Sequence, residues 1–178
     1  MRFLLILAAA LLFSAPAMAQ NAIDDLFDKL YETQNPIEAR QLERKIWEAW
    51  ATSGSDTIDA LMKGGITVME KGDHKRAEQI FSAMIELKPD FAEAYNKRAT
   101  VRFLSGDYAG SVADIERTLN LEPRHFGALA GLGTIMERLD NLEEALKAYR
   151  RALAANPHLD DGADKVRELR RRIDAREL

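Results

Sequence analysis

Three histidines are the residues of this chain whose type is best suited to hold a metal ion or to move a proton near neutral pH. They are His74, His125 and His158, and they lie far apart in the sequence. His125 and His158 are 33 residues apart, but no acidic cluster joins them at the spacing of metal ligands. The sequence therefore predicts no metal site.

Neighbouring carboxylates occur at Asp24-Asp25, Glu143-Glu144 and Asp160-Asp161. Adjacent residues on a helix point about 100° apart, so these pairs are poorly placed for general acid and base catalysis. The chain has no cysteine, which excludes disulfides, thiolate metal sites and a cysteine nucleophile. Its serines lack the sequence of a nucleophile elbow.

A glycine-rich segment contains Gly127, Gly131 and Gly133 and resembles a phosphate-binding loop in composition. It does not follow a predicted strand, and it lacks the Lys-Ser/Thr ending of such loops. Close contact between helices explains these glycines better. We therefore predict a protein that is not an enzyme and that needs no cofactor.

The elements that position these residues come from an internal repeat. Pro89, Pro123 and Pro157 are spaced 34 residues apart. When the copies are aligned on these prolines, equivalent positions carry residues of similar size, and we call each such set a column. The large columns are Leu61, Tyr95 and Leu129, and Phe81, Ile115 and Tyr149; the small columns are Gly65, Ala99 and Gly133, and Ala77, Ser111 and Ala145. The period predicts stacked helix pairs, with small residues where paired helices approach closely.

The same turn recurs inside each repeat, as Gly72-Asp73, Gly106-Asp107 and Asp140-Asn141. Glycine or another residue that tolerates a left-handed conformation ends the first helix, and Asp or Asn caps the second. Asn141 and Glu144 predict a capping-box pair. The residue before each proline is disfavoured in a helix, which ends the second helix.

With these columns in view, the chain resembles tetratricopeptide repeat proteins. The third copy carries the family pattern most fully, in Leu129, Leu132, Gly133, Met136, Ala145, Tyr149, Ala152 and Pro157. The middle copy departs from it, with Arg102 where a large apolar residue is usual. Arg98 and Asp114 are predicted to form a structural ion pair within this copy.

The first 19 residues have the features of a secretory signal peptide. Arg2 is followed by an unbroken apolar run at 3–13, and Ala17-Met18-Ala19 matches a cleavage site. The run is well short of the ~20 residues that span a bilayer, which favours a cleaved leader over a membrane anchor. We expect cleavage after Ala19 and export to the periplasm of a Gram-negative bacterium, with secretion as the alternative and no stable membrane anchor.

The predicted fold is an all-α solenoid of helix-turn-helix units. Residues 20–57 form an N-terminal helix pair, either a degenerate repeat or a cap, in which Trp47 and Trp50 are expected to be core residues. Residues 58–159 form three repeats, and residues 160–178 form a charged capping helix, because terminal repeats need a polar outer face.

The resemblance implies an inner groove lined by the first helix of each repeat. Its four columns are Asp59, Glu93 and Gly127; Met62, Asn96 and Ala130; Ile66, Thr100 and Thr134; and Met69, Phe103 and Glu137. Most are apolar or small, and Asn96 can hydrogen-bond a peptide backbone. The alternative is that the larger apolar side chains only pack beneath neighbouring helices.

Family members that bind an acidic peptide terminus use basic and amide residues at positions equivalent to Met62, Ile66, Lys97, Gly127 and Gly131. Only Lys97 is basic here. An apolar extended peptide or an amphipathic helix is therefore the predicted ligand. The formal net charge of −4 argues against a nucleic-acid partner.

We interpret the chain as an exported, non-catalytic scaffold or adaptor that binds a protein or peptide in its groove. A structural subunit that self-associates into a homo-oligomer and a periplasmic holdase chaperone are the alternatives. The sequence does not identify the partner.

Overall fold

The computed structural model describes residues 15–176, with side chains from residue 22 onward. Within this range the chain is helical and contains no strand. The helices are α1 (Ala15–Glu32), α2 (Pro36–Ala51), α3 (Asp56–Glu70), α4 (His74–Leu87), α5 (Ala92–Leu104), α6 (Tyr108–Leu121), α7 (Phe126–Arg138), α8 (Leu142–Ala155) and α9 (Gly162–Asp174).

Most of the predicted leader lies outside the described residues. Helix α1 begins at Ala15, so the predicted cleavage point after Ala19 falls within this helix. Among residues 15–176, no helix combines the length and the apolar character needed to cross a bilayer.

The three repeats are the helix pairs α3–α4, α5–α6 and α7–α8, and they stack in sequence order. Helix α4 packs on α5, α6 packs on α7, and α9 packs on α8. This arrangement confirms the predicted all-α solenoid.

The turns within the repeats follow the predicted chemistry with one exception. Gly72 and Gly106 have φ values of 81° and 82°, and Asp140 takes the same place with φ 60°. The Asp73 side chain caps α4 by accepting from the Arg76 amide at 3.1 Å. Asn141 makes no side-chain capping bond, so the predicted capping box of α8 is wrong.

Small residues permit the close approach of paired helices, as predicted. A Cβ added to Gly65 would lie 2.6 Å from Cε1 of Phe81, and one added to Gly133 would lie 2.7 Å from Cδ2 of Tyr149. In the middle repeat the Ser111 hydroxyl donates to the Ala99 carbonyl at 2.8 Å. Each repeat thus fixes the distance between its two helices at one small column.

Two neighbouring glycines of α3 are expected to respond oppositely to alanine. Gly65→Ala forces the Phe81 ring to move and should lower the free energy of unfolding by about 1–3 kcal/mol. Gly64 has open space around its Cα. Gly64→Ala should therefore raise the free energy of unfolding by about 0.5–1 kcal/mol, because alanine lowers the conformational entropy of the unfolded chain. Urea unfolding of both variants checks this, and equal effects would contradict the proposed packing.

Helices α1 and α2 form an N-terminal hairpin that packs across the repeats. Asn35 caps α2 by accepting from the Ile37 amide at 2.9 Å. Apolar side chains of both helices are buried between them, and Phe126 completes their core. Buried members are Ile23, Phe27, Leu30, Ala39, Leu42, Ile46 and Trp50.

Polar contacts attach this hairpin to the turn between α8 and α9. Glu43 accepts from the Asn156 side chain at 2.6 Å, and His158 Nε2 lies 3.0 Å from the Thr33 carbonyl. Helix α2 packs on α1 and on α5, whereas α3 packs on α4 and α5. The hairpin therefore bridges later repeats of the stack.

Helix α9 covers the last repeat with one apolar stripe. Leu169 is fully buried, and Val166 and Ile173 pack against the same cluster. The remaining surface of α9 is charged, and Arg176 pairs with Asp140 at 2.5 Å.

Candidate functional site

The first helices of the repeats lie side by side, α3 against α5 and α5 against α7. Between α5 and α7 they leave a half-open, largely apolar cavity of about 160 Å³. Its lining is formed by Asn96, Ala99, Thr100, Phe103, Ser111, Ile115, Gly127, Ala128, Gly131, Thr134 and Ile135. Five residues of the predicted groove columns are brought together here, namely Asn96, Thr100, Phe103, Gly127 and Thr134.

The groove residues predicted on α3 lie elsewhere. Met62 is only 3% exposed and belongs to the core of the first repeat, and Ile66 and Met69 pack against that core. Asp59 accepts hydrogen bonds from the Ser53 hydroxyl at 2.5 Å and from its amide at 2.9 Å. These two bonds hold the pKa of Asp59 below its usual value and fix the linker before α3.

Two predicted residues of α7 contact other parts of the protein. Ala130 packs against the cluster beneath α9. Glu137 pairs with Lys165 at 3.1 Å and with Arg172 at 2.7 Å, both from α9. The capping helix thus neutralises the Glu137 carboxylate.

Glu93 lies at the other end, in a buried polar cluster. The carboxylate is 2% exposed and pairs with Lys97 at 2.9 Å. It also accepts from the Asn96 side chain at 2.9 Å and lies 2.9 Å from His125 Nε2. His125 Nδ1 accepts from the Ala128 amide at 3.1 Å, so Nε2 carries the proton that is donated to Glu93.

Opposing effects set the pKa of Glu93. Burial alone would raise the pKa, but the hydrogen bond from His125 and the charge of Lys97 together outweigh burial and hold the pKa of Glu93 below its usual value. Glu93 therefore stays ionised inside the protein. It is occupied by protein partners and presents no free carboxylate to a ligand.

Glu93 should make stability depend on pH in the acid range. Because its pKa is lower in the folded state, its contribution is complete above the unfolded value and is lost as pH falls through the folded pKa. The difference in melting temperature between the wild type and Glu93→Gln should therefore shrink below about pH 4.5. Thermal melts from pH 3 to pH 7 test this, with exposed Glu143→Gln as the control. A constant difference would contradict an ionised Glu93.

The two tryptophans of α2 cover this buried cluster. Trp50 stacks on the His125 ring, with centroids 4.0 Å apart and planes 10° from parallel. Trp47 meets His125 and Phe126 edge-on, at centroid distances of 5.4 Å and 5.3 Å. A Cβ on Gly127 would lie 2.4 Å from Trp47, so only glycine accommodates this ring. We call the surface formed by Lys97, His125, Phe126 and Gly127 the aromatic seat.

Sequence reasoning did not assign a role to His125. The 34-residue period aligns it with Phe91 and Leu159, which are both apolar. A histidine at a position that is apolar in the other copies, one residue before a helix, could have indicated that His125 has a buried polar role. Trp47 and Trp50, in contrast, pack against protein as predicted.

A second ion cluster lies within the middle repeat, away from the cavity. Arg98 donates to both oxygens of Asp114, at 2.8 Å and 2.7 Å, which confirms the predicted pair. Arg102 donates to Asp114 at 2.9 Å and to Glu78 at 2.8 Å. These two bonds explain why Arg102 is charged at a position where a large apolar residue is usual. The hydrogen bond to Asp114 raises the pKa of Arg98 further.

A metal-binding arrangement is not found among residues 15–176. No three side chains of the ligating types are arranged there to hold a metal ion. The chemistry available at the cavity is apolar contact, together with hydrogen bonding by Asn96, Thr100 and Thr134.

Comparison with known proteins agrees with this architecture. The tetratricopeptide repeat model matches residues 62–119 and 96–160. The chain belongs to the tetratricopeptide repeat family. It is 38% identical over 144 residues to a TPR repeat-containing protein of Rhizobium etli, covering 81% of this chain and 71% of the relative.

Solved tetratricopeptide repeat structures share the fold at low sequence identity. One is the first such domain of Spaghetti (RPAP3) bound to the HSP90 peptide SRMEEVD, with a TM-score of 0.63 and 20% identity, covering 66% of this chain and 93% of that one. Another is the Yersinia enterocolitica type III secretion chaperone SycD with a peptide of the translocator YopD, with a TM-score of 0.63 and 15% identity, covering 70% and 97%.

Proposed function

We propose that the protein is an exported, non-catalytic adaptor that holds a protein or peptide segment against the groove between α5 and α7. The observation that carries this proposal is the half-open apolar cavity beside Thr100, Phe103 and Thr134. Apolar lining with a few hydrogen-bonding groups suits a peptide better than a charged metabolite. Export rests on the leader-like sequence at residues 1–19.

The similar structures support a peptide as the ligand class, because two of them hold peptides from other proteins. The charge of the groove argues against an acidic peptide. Lys97, the basic residue at the clamp positions, pairs with Glu93 and lies 5.6 Å from the centre of the Trp47 ring. The partner segment is therefore apolar or amphipathic.

Groove binding can be tested by matched substitutions of exposed threonines. Thr100 donates its hydroxyl to the Asn96 carbonyl at 3.0 Å, and Thr67 on α3 donates to the Lys63 carbonyl at 2.9 Å. Thr100 lines the cavity, whereas Thr67 does not. Thr100→Arg should fill the cavity and lower partner recovery at least tenfold in affinity capture from the envelope of the native host, while Thr67→Arg keeps it.

The folded state of both variants is checked by circular dichroism. If folded Thr100→Arg recovers every partner at the wild-type level, the groove proposal is wrong. The peptide SRMEEVD serves as a second control, since a groove without a basic clamp should not bind it in a calorimetric titration.

A further inference from the structure

The structure already contains one occupant of the groove's end, namely helix α2. Trp47 and Trp50 lie three positions apart and present both rings to the aromatic seat. The seat comes from three parts of the repeats: α5 supplies Lys97, the turn before α7 supplies His125, and α7 itself supplies Phe126 and Gly127. The repeats thus form a receptor for two aromatic rings on one helical face.

This receptor is adjacent to the cavity of the proposed binding groove. Gly127 borders the cavity on one side and contacts the Trp47 ring on the other. Asn96 lines the same cavity and donates to Glu93 beneath the seat. A helix extending along the groove from Thr100 toward Gly127 would therefore meet α2.

The fit of α2 is incomplete at one atom. Trp50 Nε1 is buried and has no hydrogen-bond acceptor among the described residues. An unsatisfied buried donor weakens docking, and an aromatic ring without an N–H group avoids this cost. A competing helix with phenylalanine at this position would keep the ring contact without the unpaired donor.

The attachment of α2 also allows displacement. Residues 52–55 join it to α3, and Gly54 in this linker has φ 77° and open space around it. The polar contacts of the hairpin with the repeats include Arg124–Asp24 and Asn156–Glu43, of which the first is partly exposed. Exposed pairs of this kind contribute little to stability.

We infer that the partner of this protein is an amphipathic helix with two aromatic side chains three positions apart, which displaces α2 from the aromatic seat. This inference rests on the proposed function, since it names the chemistry of the segment held in the same groove. Helix α2 is then an intramolecular competitor, and its short linker gives it a high effective concentration that weak ligands cannot overcome.

The test uses a fluorescein-labelled synthetic peptide of residues 35–52 and the full-length protein. Trp47→Ala plus Trp50→Ala removes both rings of α2 from the seat, so this variant should bind the peptide, as measured by fluorescence anisotropy. The wild type should bind it at least tenfold more weakly, because its seat is occupied. A peptide with both tryptophans replaced by alanine should also bind at least tenfold more weakly, and one with phenylalanine at position 50 at least as tightly.

Two glycines provide matched variants for the seat. Added to the double variant, Gly127→Ala places a methyl group where the Trp47 ring would dock and should weaken peptide binding at least tenfold. Gly64→Ala on α3 meets nothing within 4 Å, lies outside the cavity lining and should leave binding unchanged. Equal effects of the two alanines would overturn the inference.

A second opening variant covers the case in which the double tryptophan variant loses its helical circular dichroism. Glu43→Ala plus His158→Ala removes two part-buried hydrogen bonds of the hairpin and keeps both tryptophans, so it should bind the peptide more tightly than the wild type. Absence of peptide binding to folded opening variants, or equal binding of the peptide without tryptophan, overturns the inference. If the inference fails but partner capture still depends on Thr100, the proposed function stands. If the peptide binds as expected but partner capture does not depend on Thr100, only the proposed function is wrong.

Discussion

Replacing Asp114 with alanine is expected to lower the free energy of unfolding by about 3 kcal/mol. The Asp114 carboxylate is 2% exposed and accepts from Arg98 and Arg102, whose side chains are themselves mostly buried. Removing it leaves the mostly buried Arg98 guanidinium without its paired carboxylate, while Arg102 keeps only its contact with Glu78 as a close ion pair. Breaking one partner of a buried ion pair typically costs about 3–5 kcal/mol.

Exposed Glu116, two residues further along α6, is the matched control. Glu116→Ala should change the free energy of unfolding by no more than about 0.5 kcal/mol. Urea unfolding followed by circular dichroism compares the two variants. If Asp114→Ala unfolds at the same urea concentration as Glu116→Ala, the ion cluster does not stabilise the middle repeat.

The second large effect is expected at His125, which is fully buried. His125→Ala removes the ring stacked on Trp50, the cap of α7 and the hydrogen bond to Glu93. Loss of a helix cap costs about 1 kcal/mol, and an unsatisfied buried charged group costs more. We therefore expect a total loss of about 3 kcal/mol, with a red shift of tryptophan emission because the hairpin loosens.

His158 is the natural comparison, because it occupies the next turn between repeats. Its ring makes one hydrogen bond to the hairpin, to the Thr33 carbonyl, so His158→Ala should cost about 1 kcal/mol. Trp47 and Trp50 are the only tryptophans in the chain, and their emission reports on the hairpin alone. A larger loss in His158→Ala, or an unshifted spectrum in His125→Ala, would contradict the role given to the aromatic seat.

The repeat architecture was readable from the sequence because its determinants are local and periodic. Gly65 and Phe81 recur as small and large residues at fixed spacing, and each pair lies within one helix-turn-helix unit. Gly72 and Asp73 mark the turn by backbone preferences that need no tertiary contact. Such features are encoded within a few tens of residues.

The position of the hairpin was not readable, because it depends on contacts between distant segments. The bond between Glu43 and Asn156 joins residues 113 positions apart, and no pattern within α2 predicts it.

The candidate site was predicted in part for the same reason. The period located Thr100, Phe103 and Thr134 at the cavity. The period did not reveal that Glu93 is hydrogen-bonded to His125 and paired with Lys97, since that depends on how α2 covers the end of α5. Nor did it show that α9 neutralises Glu137.

The central claim is that a partner segment lies in the groove between α5 and α7. Site-specific photocrosslinking in the native host tests it most directly, with the photoreactive residue p-benzoylphenylalanine at position 138 or at position 67. Arg138 is exposed and lies 4.9 Å from the centre of the Phe103 ring, beside the cavity but outside its lining. We predict a discrete crosslinked partner from position 138 and none from position 67. Equal crosslinking from both positions, or crosslinking from position 67 alone, would contradict the claim.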